Sequence, residues 1–219
     1  MELTKEQIQE IDNRLKKDGI KYWDLRIELL DHVVSDVESR IENGEEFEKS
    51  VTNSFIALGW NGNLKHLNKK GWQNTNDKYR REHFKGILNY FKSLKNIFLF
   101  VVSVSMLFYL SNTLTFKVFK NMCVILFSLP IILIVFLYIK QFSKKYKKSV
   151  NLDYGSFYLT LSYMILPGVL SIINSQQEFT QEIIWIVVLS VHFLSIYSGY
   201  KVYKNAITRV ENMRKQLLS

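Results

Sequence analysis

The sequence predicts an all-α protein, with a small cytoplasmic helical domain followed by a four-helix transmembrane bundle. Three observations predict it. In the first third of the chain, apolar residues recur at i+3 and i+4 steps, the period of helices that bury one face. Further on, four runs without Asp, Glu, Lys or Arg are each about 20 residues long, enough to cross a ~30 Å hydrocarbon core. Charge is also unevenly divided. Residues 1–50 hold 8 Lys/Arg and 14 Asp/Glu, while the rest of the 219 hold 21 and 6, for an overall net charge of +9.

The domain 1–72 reads as three helices and a short fourth. TKEQ at 4–7 is a capping box, with Leu3 and Ile8 placed as a staple. Ile8, Ile11 and Leu15 make the first apolar face, and Gly19 stops the helix. Trp23, Ile27, Leu30, Val34, Val37 and Ile41 form the stripe of a second helix that ends at Asn43-Gly44. A third begins near Glu45, where acidic residues suit the positive helix end, buries Phe47, Val51, Phe55 and Leu58, and closes at Gly59. The short fourth helix, 61–69, carries Leu64 and Leu67, with Trp60 and Trp72 covering the ends of the core. The polar stretch 69–77 reads as a linker.

Within 73–96, YRREHFKGILNYFKSLKN sets Phe84, Ile87, Leu88, Phe91 and Leu94 at helical spacing among basic residues. That pattern fits a basic amphipathic helix lying on an anionic headgroup surface, or one that runs straight into the first span or packs on the cytoplasmic domain. The spans are 97–116, 121–139, 154–174 and 183–200. Leu, Ile, Phe and Val dominate the second and fourth, each contributing about −0.3 to −0.6 kcal/mol to insertion at a helix centre. Pro130 and Pro167 fall inside spans and predict kinks. Ser195 and Gly199 form a small-xxx-small pair suited to close helix packing. After the last span, Tyr203, Ala206, Val210, Met213 and Leu217 make a narrow seam on a C-terminal helix, 204–219.

Basic residues flank the apolar runs instead of decorating a polar domain, which favours a lipid bilayer over direct nucleic-acid binding. Lysines and arginines crowd the segment before the first span, KQFSKKYKK between the second and third, and the segment after the fourth. SQQEFTQE, between the third and fourth, has none. The positive-inside rule then places both termini in the cytoplasm. The N-terminal MELTKEQIQEIDNRLKK has no apolar core of a cleavable signal. Cys123 is the one cysteine, so no disulfide forms within a single chain.

The run GEEFEKSVTNSFIALGWNGNLKHL resembles HAAS-type helical domains, in which a Gly leads an acidic helix that ends in Leu-Gly, followed by a turn and a short helix. Trp60-Asn61 stands where that family favours Asp-Pro. The similarity covers about residues 4–70 and extends to permease prefix domains. YWDLRIELLDHVVSDVE also resembles an uncharacterised bacterial membrane-protein family of the same layout. The resemblance implies a bacterial inner membrane, a regulatory or partner-binding role, and a cytoplasmic partner such as a PadR-type regulator. A transport subunit and a second copy of the chain are the other candidate partners.

Two places carry candidate chemistry. Glu28, His32 and Asp36 fall in one helical row beside Asp31. A metal site needs three or four converging ligands, which one row does not supply, so these four read as a solvated or partner-binding face. His192 lies mid-span, as interhelical glue or as a functional polar site. GxSxG, HExxH, P-loop and GxGxxG motifs are absent. The expectation is a non-enzymatic sensor or regulator without a cofactor, and the alternative is an accessory or permease-like subunit of a transport complex.

Overall fold

The computed structural model describes residues 2–144, 146, 148–173 and 176–216. Among these, all regular structure is helical: α1 Lys5–Lys17, α2 Trp23–Glu42, α3 Phe47–Ala57, α4 Lys65–Tyr90, α5 Leu94–Thr113, α6 Phe116–Ser128, α7 Pro130–Ser143, α8 Val150–Ile173 and α9 Glu178–Gln216. The chain divides into two compact units. One comprises residues 1–77, 146–151 and 209–219, and the other 78–145 and 152–208.

In the first unit the starts and stops of α1, α2 and α3 follow the sequence signals. Gln7 N–H donates to Thr4 Oγ1 at 3.3 Å while Thr4 N–H donates to Gln7 Oε1 at 2.9 Å, completing the capping box. Gly19, Gly44 and Gly59 leave α1, α2 and α3 with φ of +100°, +87° and +83°, a region that side chains disfavour. The core joins Ile11, Leu15, Ile20, Val33, Val37, Val51, Phe55, Leu64 and Leu67. Val33, not Val34, is the fully buried valine of its turn, and Ile27 lies outside this cluster. The rest of the expected stripe does face inward: Val37 is in the core, Leu30, Val34 and Ile41 pack against it, and Trp23 is buried. The expected linker 69–77 is helical: α4 runs without interruption from the short fourth helix into the juxtamembrane segment.

Among the described residues, three helical segments are long and apolar enough to cross a membrane: Leu94–Thr113 and Phe116–Ser143 (α6 and α7 together) in the second unit, and Glu178–Lys215, whose end from Arg209 belongs to the first. Their outer surfaces carry exposed Phe98, Met106, Ile125, Ile132, Phe136 and Val191, an apolar band suited to lipid. The third expected span is helical in α8, although its last residue, Asn174, lies outside the described residues, as does Leu217 of the C-terminal seam. α6 ends and α7 begins around Leu129, where Pro130 removes the N–H that would continue the ladder. α8 continues through Pro167 without a break.

Small residues set the helix spacing in this unit. A Cβ on Gly199 would stand 2.4 Å from the Tyr158 carbonyl oxygen and 2.9 Å from Leu159 Cα, so α8 and α9 touch backbone to backbone there. A Cβ on Gly155 would come within 2.6 Å of Ala206 Cβ, and one on Gly86 within reach of Ser198. Along α4, Tyr79, His83 and Tyr90 are buried, and Ser198 Oγ donates to the His83 carbonyl at 2.6 Å. The apolar residues Phe84, Leu88 and Phe91 face outward. The juxtamembrane helix thus packs through its aromatic and glycine face and leaves its more apolar face free.

Candidate functional site

A heavily bonded carboxylate of the first unit is Asp24, at the second position of α2. It is fully buried. Its Oδ2 accepts from Ser149 Oγ at 2.6 Å, Asn151 Nδ2 at 2.8 Å and Asn151 N–H at 3.0 Å. Its Oδ1 accepts from Val150 N–H at 3.2 Å and Leu25 N–H at 3.0 Å. Val150 and Asn151 open α8, whose first amides have no partner within their own helix. A carboxylate placed there satisfies those donors and complements the positive end of the helix. In return, Trp23 N–H, the first amide of α2, donates to the Lys148 carbonyl at 3.2 Å. Two helix N-termini therefore cap one another, and Tyr22 completes the contact with Lys148 Nζ 5.6 Å from its ring centroid.

Two further contacts fasten the end of α9 within this unit. Arg209 Nη2 pairs with Glu28 Oε1 at 3.1 Å, and Tyr146 Oη donates to Glu211 Oε1 at 2.8 Å. Glu28 is thus engaged by the chain's own arginine. Asp31 and His32 are exposed on the same face. Asp36 is set apart from them: it accepts from Ser54 Oγ and pairs with Arg40 Nε at 2.9 Å. The Ser54 hydroxyl, with Arg40 adding its charge, holds the Asp36 carboxyl below its ordinary range. Among the described residues no group of three His, Cys, Asp or Glu could hold a metal ion.

His192 is buried in α9, its ring stacked on Phe127 with centroids 3.9 Å apart and edge-on to Tyr163 at 4.9 Å. The Tyr163 hydroxyl donates to the Phe127 carbonyl at 3.0 Å and not to the histidine. Sequence reasoning singled out His192 and the α2 row but passed over Asp24. An Asp in a first helical turn reads as an ordinary dipole partner, and nothing local points to donors 125 to 127 residues away. Set against known proteins, the chain matches no protein-family model, no curated protein and no solved structure.

Proposed function

We propose that the chain is a non-enzymatic, four-span membrane regulator of the bacterial inner membrane with both ends cytoplasmic, and that its helical module couples a cytoplasmic partner to the inner ends of its spans. One observation carries the reading: Asp24, Ser149 and Arg209 belong to a single compact unit, joined by the Asp24 cap and the Glu28–Arg209 pair. Segments in contact lie on one side of a membrane. The chain between residues 77 and 146 must then cross an even number of times, which α5 and α6–α7 supply. The chain between 151 and 209 must also cross an even number of times, so a crossing by α9 requires one by α8. The lysine-rich 140–148 and 201–215 segments fall on the same side, as the positive-inside rule asks.

Asp31 and His32, exposed beside the engaged Glu28, form the face offered to a partner. The resemblance to HAAS-type domains supports a PadR-type regulator as that partner. Regulation follows if partner binding competes with Arg209 for Glu28 or strains the Asp24 cap.

Two experiments test this. A periplasm-dependent reporter inserted between Gln176 and Gln177 is expected to be active, and one inserted after Ser143 inactive; the reverse would overturn the topology. Affinity capture with the full chain is expected to retain a regulator that Asp31→Lys with His32→Glu loses. Capture of a transport ATPase insensitive to that pair would favour the accessory-subunit reading.

A further inference from the structure

The coupling through Asp24 makes no use of His192. A neutral imidazole brings one donor and one acceptor, and leaving both unmade in a buried place is costly. Yet neither His192 Nδ1 nor Nε2 has a well-formed hydrogen bond: the Phe127 carbonyl is in weak reach of the ring and already accepts from Tyr163 Oη at 3.0 Å. Neighbouring polar groups are already engaged: Tyr163 Oη with the Phe127 carbonyl, Ser190 Oγ with the Ile186 carbonyl at 2.8 Å, and Ser103 Oγ with the Leu99 carbonyl at 2.8 Å.

Two cavities meet at this ring. The larger, about 440 Å³, lies among α5, α6 and α9 against Phe100, Leu107, Met122, Leu126 and Phe193. The smaller, about 310 Å³, includes His83 and Ser162, whose Nδ1 and Oγ are also buried without partners. No Lys, Arg, Asp or Glu lines either one. An ordered water takes two to four polar partners, and among the described residues the larger cavity is apolar apart from His192 and the hydroxyls of Ser103 and Ser190, whose protons already go to their own helix carbonyls. Met106 and Phe193 in its wall are more than half exposed, which opens the space to the apolar surface of the bundle.

We propose that the larger cavity seats an uncharged, membrane-soluble molecule whose carbonyl or hydroxyl oxygen bonds His192. An apolar body matches the lining, and the lack of counter-charge excludes an ionic head. An oxygen acceptor takes the imidazole N–H, and a hydroxyl can also donate to the bare nitrogen. Both nitrogens are covered in the present arrangement, so the ring tilts from its Phe127 stack as the oxygen arrives, and the two cavities that His192 lines provide the room. Two membrane components offer this chemistry: a prenylated quinone through its carbonyl, and a diglyceride through its free hydroxyl. The site rests on the bundle alone and stands or falls independently of the partner-binding reading.

The test uses the full chain in phosphatidylcholine nanodiscs, with a photoreactive prenylquinone and a photoreactive diglyceride as separate probes. Saturable labelling of α5 and α9 peptides by either probe, competed by its unlabelled form, is expected, and the probe that labels identifies the source. His192→Phe preserves the stacked ring and is expected to cut saturable labelling by about tenfold, the loss of roughly one buried hydrogen bond. His192→Gln keeps a donor and an acceptor and is expected to restore part of it. Leu107→Trp fills the cavity without touching the histidine and is expected to abolish it. Absence of saturable labelling by both probes, or undiminished labelling in both His192→Phe and Leu107→Trp, would overturn the proposal.

Discussion

Asp24 shows how much one side chain can decide when it is buried with five donors around it. Asp24→Asn keeps the shape but turns a nitrogen donor toward donors, leaving buried amides unmatched. It is expected to lower stability by about 1–3 kcal/mol, read as a lower midpoint in tryptophan-detected unfolding of the full chain in detergent. Asp36 makes a pH-dependent contribution. Its folded pKa lies below the ordinary 3.8 because Ser54 and Arg40 favour the carboxylate. Its stabilising share is therefore fully present above 3.8 and drains away as pH falls through the lower folded value. Asp36→Asn should flatten that acid limb of the stability profile while leaving the profile above pH 5 parallel to wild type. At this scale the sequence was legible where a residue contradicted its surroundings, as His192 does within an apolar run. It was silent where the meaning of a residue lay in a distant partner, as with Asp24.

The starts and stops of α1 to α3 were readable because they are local, whereas the stop expected at 69 was not, because no Gly with positive φ or Pro breaks α4 there. Thr4 and Gln7 cap each other within one turn, and Gly19, Gly44 and Gly59 each sit where a helix must leave with positive φ. Which face a helix buries was less readable. α4 looked amphipathic through Phe84, Leu88 and Phe91, yet packs through Tyr79, His83, Gly86 and Tyr90. In a soluble protein the more apolar face goes inside, whereas against lipid, the surroundings proposed for this end of α4, the inside is won by small and hydrogen-bonding residues that allow close approach. The same preference gives Gly199 its weight. Its Cβ would meet main-chain atoms of Tyr158 and Leu159, which cannot swing aside as a side chain does. Gly199→Ala should cost about 1–3 kcal/mol through forced separation of α8 and α9, measurable as a fall in the thermal midpoint of the detergent-solubilised chain. Gly168→Ala, with open space around its Cβ, is the matched control and should change little.

The whole molecule is organised by contacts between residues far apart in sequence, and composition gives no access to those. Periodicity and charge revealed a helical domain and apolar runs, but not that residues 146–151 and 209–219 belong with the first 77. A fragment of residues 2–77 should still fold, because the core from Ile11 to Leu67 is complete within it. It should do so with a lower midpoint and a red-shifted Trp23 emission, since the Lys148 to Asn151 contacts are missing. A fragment without helical circular dichroism would show that the later segments are required for folding, not only for docking. The Asp24 cap also has a consequence for the order in which the protein is made. The module leaves the ribosome early, and domains fold as they emerge, but Asp24 stays in water until a chain more than a hundred residues longer brings Ser149 to it. On the proposed topology, two apolar arms, α5 and α6–α7, have by then crossed the membrane and returned. A chain inserted the wrong way round, or with one arm skipped, would strand the carboxylate and Trp23 in solvent. In such a chain the module would be left partly open for cellular proteases to find, so the cap would serve as an assembly checkpoint as well as a joint.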